Sequence, residues 1–145
     1  MRFLVDTNIL LHAANAASPS HSAARGFLEE HLRLRTSWCI TWPILYEFLR
    51  VSTHVRVFPK PLTALQALEF AGALIAQEEV VILVPTSRHF AVLQTVVNEL
   101  GYPAGNLFHD IHTAVLIREH GIPEIVTADT DFLQFGFLKV SNPLR

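Results

Sequence analysis

Acidic residues in four well-separated places carry the chemistry this chain could do: Asp6, Glu47, Asp110, and the pair Asp129 and Asp131. Asp6 follows the apolar run Phe3-Leu4-Val5, and Asp129 and Asp131 follow a second such run ending at Thr127. Glu47 lies about one turn into a helical pattern among Leu45, Phe48 and Leu49, and Asp110 lies in the first turn of the stretch that continues through Ala114, Val115, Leu116 and Ile117. In an open parallel α/β sheet, strand ends and the starts of the following helices share one edge, where ligands bind. Taken alone, Asp6 or Thr7 reads equally well as a helix cap. Gathered together, the carboxylates repel, by about 3 kcal/mol for a pair roughly 5 Å apart at an effective dielectric near 20. Bound protons, a nearby base or a hard divalent cation could offset that cost. The only lysines, Lys60 and Lys139, are not beside the acids, so a cation is the simpler answer. Oxygen-only ligands favour Mg²⁺ or Mn²⁺ over zinc, and such a site can bind a phosphate, orient a water and lower its pKa. Glu29, Glu30, Glu69, Glu78 and Glu79 instead fall on polar helix faces or helix ends, as solvated charges do.

Other side chains are candidates with ordinary alternatives. His109 and His112 flank Asp110. Residues one and two apart on a helix point away from each other, so Asp110 and His112 cannot readily share a metal. His109 and His112 could hold zinc together, but surface or rim histidines are the plainer reading. Arg50, Arg56 and Lys60 follow Glu47 and read either as contacts for RNA phosphates or as a solvated helix face and loop. Trp38, Trp42 and Phe58 could stack an unpaired base, though packing in a core or a dimer is the plainer reading. Cys39, the single cysteine, sits in the strand-like Ser37-Trp38-Cys39-Ile40 and reads as an inert core thiol; no intrachain disulfide is possible.

The elements that must position these groups alternate. Strands are expected at Phe3–Val5, Thr36–Thr41, Val80–Val84, Glu124–Thr127 and Leu138–Val140, with Val80–Val84 buried on both faces. Helical spacing follows Asp6, then Ser18-Pro19-Ser20, then Pro43 in a first turn. Thr63 with Gln66 forms a capping-box pattern ahead of a further helix. Another apolar stripe, Phe90 to Leu100, closes at Gly101, and the helix from about Leu107 to His120 closes at Gly121, both as left-handed caps. Alternating strands and helices predict a three-layer α/β/α sandwich around a mostly parallel sheet of four to five strands. No repeat or linker divides residues 1–145, so a single domain is expected.

Half of the residues are hydrophobic and the mean hydropathy is +0.33, yet no apolar run approaches the ~18 residues of a membrane span. The surplus is expected in a core or under a partner chain. A net charge of −2 gives no global nucleic-acid signature, so phosphate contacts must be local. Asp6, Asn8 and His12 interrupt what would otherwise loosely resemble a signal peptide, and the cytoplasm is the expected compartment.

The blocks LVDTNIL, YEFLR, HDIHTAVLIREHG and TADTDF, in that order and with a closing NPL, resemble the acidic blocks of the PIN domain, and more narrowly the VapC toxins of bacterial toxin–antitoxin pairs. The resemblance runs from Phe3 to the end of the chain. It implies a metal-dependent endoribonuclease using Mg²⁺ or Mn²⁺. Asp6, Glu47, Asp110 and Asp129 match the family's acidic quartet, Asp131 an accessory acid, and Asn8 and Thr127 the polar positions that hold them. It further implies cleavage of structured RNA, mostly transfer RNA, by a metal-activated water. The implied partner is a VapB-like antitoxin, through which alone the toxin reaches operator DNA; a homodimer is implied too. Two other readings stand beside it. One is a catalytically inactive PIN-like module that binds RNA or protein. The other is a phosphohydrolase of the haloacid dehalogenase type, which wants an Asp where Asn8 stands and a lysine for which only Lys60 is available.

Overall fold

The computed structural model describes residues 2–145. Its centre is β1 (Phe3–Val5), whose three side chains are at most 4% exposed. Apolar residues on both sides of a strand demand helical cover on both faces, and at its two edges β1 pairs in parallel with β2 (Trp38–Thr41) and β4 (Glu124–Val126), with Leu4 opposite both Cys39 and Ile125. β3 (Val80–Leu83) joins β2, and β5 (Lys139–Ser141) joins β4, also in parallel, giving the order β3-β2-β1-β4-β5.

Right-handed crossovers fix the layers. The chain runs from β1 outward to β3 through α1 (Thr7–Ala14), α2 (His21–Arg33), α3 (Trp42–Ser52) and α4 (Ala64–Ile75), then returns past β1 through α5 (His89–Glu99) and α6 (Leu107–Glu119). Reversing the direction of travel puts the second set on the opposite face. Helix contacts divide accordingly, α1 with α2 and α3, α3 with α4, and separately α5 with α6. The α/β/α sandwich expected from the alternation is the fold found.

Local chemistry explains most boundaries. Thr41 caps α3 by accepting from the Ile44 amide at 3.2 Å, with Pro43 in the first turn. Both bonds of the Thr63–Gln66 box form, and Gly101 and Gly121 take φ of +73° and +69° after their helices. Three expectations shift. β2 starts at Trp38 rather than Thr36, and β5 is displaced by one residue. β3 is an edge strand, not one buried on both faces: Val81 and Val84 are 36% and 51% exposed, because only β2 pairs with it. Trp38 and Phe58 follow the plainer reading as core residues at 1% and 5% exposure, while Trp42 is 48% exposed. Among the described residues no helix is long and apolar enough to cross a membrane.

Candidate active site

The sheet order reverses between β1 and β4, since the chain leaves β1 toward β2 and comes back to the other side. At such a switch point the loops after the two strands part and leave a crevice. A cleft of about 610 Å³ opens there, lined by Asp6, Asn8, Pro43, Glu47, Asp110 and Asp129 among others. All four of the acids expected to act together therefore meet, from β1, α3, α6 and the β4 loop.

Asp6 is both a site residue and a cap. Its Oδ1 accepts from the Thr7 amide at 2.8 Å, and its Oδ2 from Asn8 Nδ2 at 3.1 Å and Thr127 Oγ1 at 2.8 Å. Thr127, just past β4, is saturated: its hydroxyl donates to Asp6 and accepts from Asn8 Nδ2 at 2.9 Å and the Asp129 amide at 3.0 Å, using its one donor and two lone pairs. Asn8 Oδ1 accepts from the Ala128 amide at 2.9 Å. Asn8 and Thr127 thus tie the first turn of the chain to a loop about 120 residues later. Burial raises the Asp6 pKa, with the bonds from Thr127 and Thr7 opposing it and the Asp129 charge adding to it.

Asp110, Asp129 and Asp131 each bring a carboxylate oxygen within 4.8 Å of the others. Asp129 also accepts from the Asp131 amide at 2.8 Å, starting a short 3-10 turn at Thr130–Gln134. Burial pushes Asp110 up to about 6, helped by the charges of Asp129, Asp6 and Asp131 and opposed by His109. Three clustered carboxylates with no lysine or arginine between them suit a hard divalent cation; Asp131 reaches this group from the exposed rim.

Glu47 faces the same cleft differently. Arg50 binds it with two bonds of 2.5 and 3.1 Å, and that hydrogen bond chiefly holds its carboxyl below the usual range, against some desolvation. Of the three basic residues expected to meet RNA, only Arg50 lines the cleft; Arg56 and Lys60 are exposed and outside its lining.

Two features escaped the sequence reading. Thr113, one turn after Asp110, lines the cleft, as its i+3 spacing could have shown. Glu119 is a carboxylate with 0% side-chain exposure, held by His89 and Thr86, while Arg88 donates to its backbone carbonyl. Nothing in its local sequence distinguishes it from a helix-end charge. His112, treated as a rim histidine, also lines the cleft.

A PIN domain family model matches residues 3–138. Ribonuclease VapC33 of Mycobacterium tuberculosis is 32% identical over 140 residues, 97% of this chain and 96% of that protein. Ribonuclease VapC37 of the same organism is 33% identical over the same length and shares. Among solved structures, VapBC2 of Rickettsia felis, bound to a DNA fragment from its promoter, superposes with a TM-score of 0.69 at 16% identity, covering 98% of each chain. VapC20 of Mycobacterium tuberculosis, a sarcin–ricin loop cleaving toxin, gives 0.68 at 18% identity over 95% of this chain and 98% of that one.

Proposed function

The chain belongs to the PIN domain family, and from that premise we propose that it is a single-domain, divalent-metal-dependent endoribonuclease of the VapC kind, the toxin of a toxin–antitoxin pair. The observation that carries the reading is the convergence of Asp6, Asp110 and Asp129 on one cleft at the switch point, with Asp131 beside them. The names of the relatives, ribonucleases at about a third identity over nearly the whole chain, support it.

Asp110, Asp129 and Asp131 would hold Mg²⁺ or Mn²⁺, which supplies a Lewis acid for the scissile phosphate and lowers the pKa of water. Asp6, with three of its roughly four acceptor positions occupied, has one left to offer toward the same point, and otherwise fixes the β1 and β4 loops relative to each other. Glu47 joins the other acids when its pair with Arg50 opens. That pair is 46% and 63% exposed, and solvent screens an exposed pair strongly, so it opens readily and frees a guanidinium for phosphate.

The substrate is structured RNA, transfer RNA being the first candidate. The partner is a VapB-like antitoxin, a reading supported by VapBC complexes among the structural neighbours; operator DNA is reached through it. Incubating the purified chain with transfer and ribosomal RNA tests the activity. Cleavage is expected with Mg²⁺ or Mn²⁺, none with chelator, and a drop of about 100-fold or more in rate for Asp6→Asn or Asp110→Asn with the fold intact. Cleavage surviving both substitutions would sink the assignment. RNA binding without cleavage by the unmodified chain would favour a binding module.

A further inference from the structure

The buried Glu119 is paired in a way that leads back to the cleft. Its Oε2 accepts from the Thr86 amide at 3.1 Å and hydroxyl at 2.7 Å, and its Oε1 lies 2.5 Å from His89 Nδ1. Desolvation works against ionisation there, but the bonds from His89 and Thr86 outweigh it and hold the carboxyl below its ordinary value. An ionised Glu119 can only accept, so Nδ1 carries the hydrogen and the ring orientation of His89 is fixed. The His89 ring meets the His112 ring edge-to-face, 5.8 Å between centroids and 72° between planes.

Glu119 and His112 are seven residues apart on α6, so they share a face, separated by about 10 Å along the axis. His89, the first residue of α5, bridges that gap. At the end of the array His112 lines the cleft, whose other basic groups are Arg50, engaged with Glu47, and exposed His109. An imidazole packed edge-to-face against the hydrogen-bonded His89 ring, on a wall otherwise rich in carboxylates, is placed to meet a phosphate oxygen of a bound strand. We propose that His112 is a substrate-binding residue that donates to an RNA phosphate, and that His89 and Glu119 are positioning residues acting through it. The inference rests on the ribonuclease reading for its substrate class. It goes beyond the acids in naming the residue that holds the strand.

The test is a double-mutant cycle read in two assays. In the first, a fluorescein-labelled transfer RNA is titrated with Asp110→Asn protein carrying His112→Ala, His89→Ala, Glu119→Gln, or His112→Ala paired with either His89→Ala or Glu119→Gln, and the anisotropy gives Kd. In the second, the same substitutions in the otherwise unmodified chain are compared for Mn²⁺-dependent cleavage of bulk transfer RNA. Expected for His112→Ala is a rise of about tenfold in Kd and KM, the size of one charge-assisted bond, with kcat within about twofold. His89→Ala and Glu119→Gln are expected to weaken binding by about threefold, and His89→Ala to add nothing once His112 is gone. A purely structural Glu119 would lower the melting temperature and the active fraction, hence kcat, and its effect would add to that of His112→Ala. Additivity, or a change below twofold for His112→Ala, would overturn the proposal. Failure of the unmodified chain to cleave would remove the nuclease reading but leave the binding cycle decisive.

Discussion

At the scale of single residues, the cost of burying a carboxylate, and then of crowding it with others, is written in Asp110. Its pKa is raised from 3.8 to about 6, so the folded chain holds a proton there that the unfolded chain has released. Between those two values the folded state binds more protons than the unfolded one, and this group's contribution makes metal-free stability fall as pH rises through the window. Asp110→Asn removes the penalty. In chelator it is expected to raise the melting temperature by about 2 °C at about pH 7.5 and by less at about pH 4.5, where the native side chain is already protonated. Mn²⁺ should stabilise the unmodified chain at the higher pH and the variant much less. Equal melting curves at both pH values would mean the acids do not feel one another. Thr127 makes a second case: Thr127→Val deletes a donor to Asp6 and an acceptor for Asn8 and the Asp129 amide. A loss of about 1–3 kcal/mol is expected in urea unfolding, largely restored by Thr127→Ser.

At the scale of elements, what the sequence made legible follows from how far the relevant signal travels along the chain. Caps and turns act within three or four residues, and the Thr63–Gln66 box, Pro43 and the two left-handed glycines stand where their local patterns put them. The acids could be assigned to one edge because strand ends and helix starts share it in any parallel sheet. The pairing of Glu47 with Arg50, three residues on, was also within reach of the spacing. Contacts set by the packing of separate elements were not. Glu119 gives no hint that Thr86 and His89 wait some thirty residues earlier, and Val80–Leu83 looks like an interior strand until the order of the sheet makes it an edge. Residues two apart on a helix diverge, as Asp110 and His112 do, but a cleft is broader than one metal, and it reaches around α6 to both side chains.

At the scale of the whole molecule, the apolar surplus is only partly absorbed by the core. Tyr46, Val55, Leu65, Leu68 and Phe90 remain between 56% and 75% exposed, more open apolar surface than a lone chain comfortably keeps in water. A homodimer, which the family resemblance implies, would cover part of it, so light scattering on the purified chain is expected to give twice its mass of 16.3 kDa; a monomer at all concentrations would leave the surface to the antitoxin. The clamp made by Asp6, Asn8 and Thr127 has a further effect. Because it joins residues about 120 positions apart, the pocket is unfinished in a growing chain until β4 and the acids behind it have been made and have folded back against β1. A polypeptide interrupted before β4 therefore lacks the far half of that clamp together with Asp129 and Asp131.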